Sequence, residues 1–135
     1  MSTTMVTAIM TKDVECVSPD QKIVDIKHIY EQQRFHHHIP VVENNVLVGM
    51  VSLIDFMRRI GQANLDDNQE VYQSIFVKDI MSANPTYLLE DASIQDVAEV
   101  LSEGRVHALP ILNSSKEVVG IVSTADLIAY YLRKQ

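Results

Sequence analysis

Apolar residues recur at helical spacing at Ile23, Ile26, Ile29 and Tyr30, and again at Ile94, Val97, Val100 and Leu101. Each stretch predicts an amphipathic helix. Ser93 and Asp96 have the spacing of an N-terminal capping pair, and Asp20 or Asp91 can also start these helices. A short strand is predicted ahead of each helix, over 15–18 and 86–89. After each helix the period changes. Two apolar, β-branched runs flank Glu43-Asn44-Asn45 in one case and Asn113-Ser114-Ser115-Lys116 in the other, residues that accept turn conformations, so each predicts a β-hairpin. A second helical stretch then follows, over 53–60 and 124–132, opened by a Ser-x-x-Asp segment. Between these blocks, 61–79 is polar up to Glu70 and then predicts one helical turn over 71–76.

The chain is therefore two copies of a β-α-β-β-α unit. Ile9-Met10 returns as Ile80-Met81, Asp20 as Asp91, and Val48-Gly49-Met50-Val51-Ser52 as Val119-Gly120-Ile121-Val122-Ser123, each 71 positions on. The segment His38-Ile39-Pro40-Val41-Val42 pairs with Ala108-Leu109-Pro110-Ile111-Leu112 at an offset of 70. Repeats of this length are supersecondary units that need a neighbour to bury their apolar faces. The division expected is 1–60 for the first repeat, 61–77 for a linker and 78–135 for the second. Gly49 and Gly120 interrupt apolar strands, where glycine marks a bulge or a close approach of another chain segment. Pro40 and Pro110 are expected to begin strands, where a missing N–H does least harm.

Composition narrows the functional classes. The 135 residues are 47% hydrophobic, enough for a real core. Eleven Lys and Arg against eighteen Asp and Glu give a net charge of -7, which argues against nucleic acid as a partner. No apolar run approaches membrane-spanning length, and the N-terminal residues lack the basic and apolar regions of a signal peptide. With the single Cys16, the expectation is a cytoplasmic chain with no membrane partner.

Candidate chemistry is sparse. The four glycines form neither a phosphate loop nor a dinucleotide fingerprint. Cys16 has no counterpart in the second copy, where Tyr87 stands, and reads as a small buried hydrophobe rather than a nucleophile. The His36-His37-His38 triplet invites a metal. In an extended segment, however, His36 and His38 share one face and His37 points the other way, whereas zinc wants three or four ligands. No metal site is expected, and no catalysis.

Taken in order and doubled, several motifs resemble one family. They are Asp79-Ile80-Met81 (weaker as Ala8-Ile9-Met10), the His-x-x-Pro segments at 37–42 and 107–112, the Val-Gly-Ile-Val-Ser strand, and the Ser-x-x-Asp ending. The chain resembles the CBS (cystathionine β-synthase) domain in its tandem form, the Bateman module. The resemblance covers nearly the whole chain. It implies an α/β (α+β) fold of two repeats related by pseudo-two-fold symmetry, and a regulatory or sensing role without catalysis. It also implies adenosine-containing ligands, AMP, ADP, ATP or S-adenosylmethionine, in clefts between the repeats, with no cofactor required.

By the same resemblance, Asp55 and Asp126 accept hydrogen bonds from ribose hydroxyls, and Ser52 and Ser123 lie near the phosphates, with Thr124 as an extra hydroxyl. His37 and His107 are positioned to touch a phosphate. Pro40 and Pro110 border the site, and Arg34 and Arg105 recur after the first helix of each copy. The residues alone allow a plainer role, in which Ser and Asp merely cap the closing helices. The small residues Gly104 and Ala108, with Thr124, lead us to expect the Asp126 site to be the stronger of the two.

Ile54, Met57 and Ile60, with Leu127, Ile128, Tyr131 and Leu132, give the closing helices more apolar surface than a short helix usually hides. A homodimer is expected, and the resemblance adds that two such modules meet through these helices. An unidentified protein target is expected to receive the signal. The other reading is a ligand-free scaffold that uses the fold only to dimerise or dock.

Overall fold

The computed structural model describes residues 4–32 and 37–135. Its helices are α1 (Ile23–Tyr30), α2 (Leu53–Ile60), α3 (Glu70–Ser74), α4 (Ile94–Ser102) and α5 (Thr124–Arg133). Its strands are β1 (His38–Glu43), β2 (Val46–Ser52), β3 (Ser82–Ala83), β4 (Leu88–Leu89), β5 (Ala108–Leu112) and β6 (Val118–Ser123). Among the described residues the strands form two three-stranded sheets, in the orders β1-β2-β3 and β4-β5-β6.

Both predicted hairpins form. β1 and β2 are antiparallel and turn through Asn44 and Asn45, whose φ angles of 53° and 67° lie in the left-handed region that asparagine tolerates. β5 and β6 are also antiparallel, and Lys116 takes the positive φ in their longer loop. Each hairpin carries a register break at the equivalent place, between Val41 and Val42 and between Ile111 and Leu112. The break on the facing strand lies beside Gly49 in one copy and Gly120 in the other.

Pro40 and Pro110 are each the third residue of a strand and are buried, which corrects the expectation that they begin strands. Pro40 is tolerated because its polar edge faces away from β2. Its carbonyl accepts from Val17 N at 3.1 Å, across a one-residue bridge, so the missing N–H removes nothing from the hairpin ladder. That bridge is all that forms of the strand expected over 15–18.

The helix starts are held differently. Ser93 and Asp96 make the reciprocal capping box that their spacing predicts. Lys22 precedes α1 with no side-chain cap, and Asp20 instead faces Lys78 at 3.5 Å. The first N–H of α1, on Ile23, is satisfied by the carbonyl of Ile75 at 2.9 Å.

Two compact units result, and they are not the two contiguous repeats. One is Glu15–Pro85, and the other joins Thr86–Gln135 to the residues up to Val14. In the first, residues 75–77 bond to 21–23, through Ile23 N to Ile75 O and Val77 N to Gln21 O. In the second, residues 4–6 bond to 92–94 in the same pattern, through Ile94 N to Thr4 O and Val6 N to Ala92 O. Val77 and Val6 are fully buried in the respective cores. The segment expected as a linker over 61–77 is part of the first core. Its Tyr72 is fully buried, stacks on Phe56 and donates its hydroxyl to Asn64 O at 2.6 Å.

The glycines have the role that their repetition suggested. A Cβ on Gly49 would stand 2.5 Å from the sulfur of Met81 and 3.0 Å from the carbonyl of Ser82. On Gly120 it would stand 2.5 Å from the sulfur of Met10 and 3.0 Å from the carbonyl of Thr11. Thr11 exchanges both backbone hydrogen bonds with Ile121 there, so the carbonyl cannot retreat without cost. Gly120→Ala should therefore lower stability by about 1–3 kcal/mol in urea unfolding. A loss under about 0.5 kcal/mol would show instead that Met10 swings aside freely.

Candidate functional site

In each copy the strand entry is tied to the start of the closing helix. Leu53 N donates to His37 O at 2.7 Å, and Thr124 N donates to His107 O at 3.0 Å. His37 O also accepts from the Tyr30 hydroxyl at 3.2 Å, and His107 O from the Thr124 hydroxyl at 3.4 Å. Ser52 and Ser123 are the N-caps of α2 and α5. Their hydroxyls accept from Asp55 N at 3.0 Å and from Asp126 N at 3.2 Å. The backbone carbonyl of His37 thus meets Ser52 and Asp55 at one helix start, and that of His107 meets Ser123, Thr124 and Asp126 at the other, while both histidines are exposed. The extra hydroxyl of Thr124 is engaged by the backbone, which removes one reason to favour the Asp126 side.

The two carboxylates differ. Asp126 Oδ2 accepts from Ser123 N at 2.8 Å, closing a capping box. Among the described residues, no hydrogen bond ends on the Asp55 carboxylate, and Ser52 N is not drawn to it. Asp55 instead lines an open groove of about 260 Å³ with Arg58, Arg59, Asp79 and Ile80, all within the unit Glu15–Pro85. Asp79 Oδ2 is committed to Phe76 N at 2.9 Å. Burial, and after it the Asp55 carboxylate, push the Tyr30 phenol well above its ordinary range, so it stays a neutral donor. Arg58, Arg59, Asp79 and Ile80 were not expected from the sequence as site residues. A signal did exist, because the arginines follow Asp55 by three and four positions, one face of a helix, whereas Ala129 and Tyr130 follow Asp126.

Arg105 is exposed and pairs with Glu103 at 3.0 Å. Arg34 and His36 lie outside the described residues. His37 is exposed and His38 half-buried at the head of β1. Burial raises the pKa of the Cys16 thiol, which keeps it from acting as a thiolate.

A metal-like grouping occurs elsewhere, where His28, Glu31 and Asp67 bring their ligand atoms within 4.8 Å of one another. Its cation is already supplied by the chain. The Lys27 side chain is buried, with a residue exposure of 3%, and its ammonium contacts Asp67 Oδ1 at 2.6 Å and Glu31 Oε2 at 2.9 Å. His28 Nε2 lies 2.8 Å from Asp67 Oδ2. The cluster pins the segment after α2 to α1 and leaves little for a metal to neutralise.

Family models, sequences and solved structures agree on the fold. The family model described as CBS domain matches residues 6–62 and again 77–133. The CBS domain-containing protein YhcV of Bacillus subtilis is 34% identical over 87% of this chain and 79% of its own length. Other relatives are longer: the chain spans 43% of the uncharacterized protein MJ0188 of Methanocaldococcus jannaschii, at 32% identity over 93% of this chain. CBSX2, solved in complex with AMP, superposes with a TM-score of 0.81 at 20% identity, covering 97% of this chain and 98% of that one. The CBS domain pair of MJ0100, solved with 5'-methylthioadenosine and S-adenosyl-L-methionine, gives 0.82 at 22% identity, covering 99% and 100%. No helix of the described residues is long and apolar enough to cross a membrane.

The Lys27 cluster makes a pH prediction. Hydrogen bonds from Lys27 and then from His28 hold the Asp67 carboxyl below the usual carboxylate range. The hydrogen bond to Asp67 is the main cause holding Lys27 above the ordinary lysine value, against its desolvation. Asp67 binds protons less readily folded than unfolded, so its contribution is complete above the ordinary carboxylate pKa and is lost on acidification. Lys27 has the opposite sign, and its contribution is lost only at strongly alkaline pH. Between about pH 5 and about pH 3 the unfolding temperature of the parent should fall more steeply than that of Asp67→Asn. Parallel acid limbs in the two melts would remove the cluster from the account of stability.

Proposed function

The chain belongs to the CBS domain family as a tandem pair, and from that premise we propose that it is a regulatory, non-catalytic module binding an adenosine-containing ligand. AMP, ADP, ATP and S-adenosylmethionine are the candidates. The observation that carries this reading is the Asp55 groove, where a carboxylate with no hydrogen-bond donor among the described residues stands one turn into a helix whose N-cap is a serine. A carboxylate can accept from two vicinal hydroxyls at once, which is the chemistry of a ribose. The ligands of CBSX2 and MJ0100 all contain adenosine, and this supports the reading for a chain of the same fold.

The residues proposed for the first site are Ser52, Asp55 and His37. Those for the second are Ser123, Thr124, Asp126 and His107. Arg34 and Arg105 are assigned to the phosphate side, and Pro40 and Pro110 act from inside their strands by fixing the segment that His37 and His107 begin. Neither site needs a cofactor. The proposed setting is cytoplasmic, with an unidentified protein as the recipient of the signal.

A thermal shift tests the ligand. At a concentration one hundred times its dissociation constant, a bound adenosine compound adds about 2.7 kcal/mol to stability. AMP, ADP, ATP and S-adenosylmethionine at millimolar concentration should include at least one that raises the unfolding temperature, and Asp55→Ala with Asp126→Ala should abolish the rise. No shift with any of the four would leave the scaffold reading in its place.

Assembly supports a second proposal, compatible with either reading. Ile54 and Met57 on α2 are 61% and 58% exposed, and Ile128, Tyr131 and Leu132 on α5 are exposed as well, while Leu127 is buried and Ile60 packs on the first core. Apolar side chains of this size in such number are a signature of a surface that another chain covers. We expect a homodimer. Light scattering at micromolar concentration should give twice the chain mass of 15.2 kDa, and a value near 15.2 kDa would refute it.

A further inference from the structure

We propose that Arg58 and Arg59 make the Asp55 groove a binding site for a ribose phosphate, so that the first copy holds a phosphorylated ligand more tightly than the second. The inference rests on the reading of Asp55 as a hydroxyl acceptor and adds what stands beside it. Both arginines line the same groove as Asp55. On α2 they follow it by three and four residues, so all three side chains leave one face of the helix within about one turn, 5.4 Å along its axis. That spacing is of the order of one sugar-phosphate unit.

The charges in the groove are available for a ligand. Among the described residues neither guanidinium has an ion-pair partner, although two carboxylates line the same groove. Asp79 is turned to the backbone N–H of Phe76. Asp55, an acceptor, suits hydroxyls and repels an anion, while a guanidinium presents paired donors that match phosphate geometry. A groove lined by both acceptors and two guanidinia is complementary to one class of molecule, a polyol that carries a phosphate. Its volume of about 260 Å³ is just below the usual range of small-molecule sites and it is wide open to solvent, so it would cradle the sugar phosphate rather than enclose a whole nucleotide.

The second copy lacks both parts of this arrangement. Ala129 and Tyr130 stand where the arginines would be, and the Asp126 carboxylate is drawn back onto Ser123 N. This reverses the ranking that the small residues Gly104 and Ala108 had suggested, since room without charge does not hold a phosphate.

The test is calorimetry on the full chain with ribose 5-phosphate, AMP and adenosine, comparing the parent with Arg58→Gln, Arg59→Gln, the double variant and Asp55→Ala. Both glutamines are good helix residues, and circular dichroism checks that α2 persists. The double variant should lose about tenfold or more in affinity for AMP and for ribose 5-phosphate, while its affinity for adenosine stays within about twofold. If the double variant binds AMP as the parent does while Asp55→Ala loses both AMP and adenosine, the arginines have no such role and the adenosine reading stands. If ribose 5-phosphate binds and depends on the arginines while no adenosine compound binds, the phosphate site stands and the adenosine reading fails. Absence of binding by all three probes would overturn both.

Discussion

Two methionines pack against two glycines, and both halves of the fold depend on these contacts. Met81 lies against Gly49 and Met10 against Gly120, each so near that a single Cβ would collide with the sulfur and press on the neighbouring carbonyl. These contacts seat the short strand or bridge that follows each methionine, β3 on β2 and Thr11 on Ile121. The residues just before them complete the other side of the same fold. Val77 and Val6 enter the two cores, each worth about 1.5–3 kcal/mol by burial, and their neighbours supply the backbone bonds that start α1 and α4. A peptide of about ten residues thus closes each hairpin, caps one helix and fills one core.

Sequence order and spatial order part at this peptide. The opening of the first repeat completes the unit formed by Thr86–Gln135, and the opening of the second completes Glu15–Pro85. Neither hairpin finds its closing peptide at the start of its own repeat. The segment after α2 therefore has to do more than connect. It must deliver Val77 and Met81 at the right place, and it is held on the way by Tyr72 in the core and by Asp67 on Lys27 and His28. Lys27 has no counterpart in the second copy, where Ala98 stands, so this anchor belongs to the first copy alone.

This explains what could and could not be read from the chain. Helix and hairpin positions were legible because each depends on local periods: the 3.6-residue spacing of Ile23, Ile26 and Ile29, and the Asn44-Asn45 turn between β-branched runs. The repeated glycines were legible as close approaches, but their partners were not. A repeat of constant offset is equally consistent with each opening packing on its own hairpin or on the other, so self-similarity cannot choose between them. Tyr72 was hidden in a segment whose polar composition reads as linker. The proline positions were misplaced because a proline inside a strand is costly only when its N–H side faces a full ladder, and Pro40 faces a single bridge. At the candidate site, the Ser-x-x-Asp motifs were legible as helix starts. The state of their carboxylates was not, since the same four-residue spacing serves a closed capping box and an open carboxylate equally well.

That last difference links helix stability to function. In α5, Asp126 spends one oxygen on Ser123 N, which strengthens the helix start, and a ligand asking for both oxygens must compete with that bond. A hydrogen bond to a charged group is worth about 1.5–3 kcal/mol, so the ligand would replace an interaction rather than add one. In α2 the start is held without Asp55, by Ser52 Oγ on Asp55 N and by His37 O on Leu53 N, and the carboxylate need not serve the helix. The shorter α2 recovers support at its other end, where Arg58 and Arg59 face the negative pole of the helix dipole in the last turn. The same two side chains can therefore hold the helix in the free protein and turn to an anion in the bound one. On the proposed reading, binding asks the two arginines to give up that pole for a phosphate, so the helix support lost there is set against the charge-assisted bonds gained.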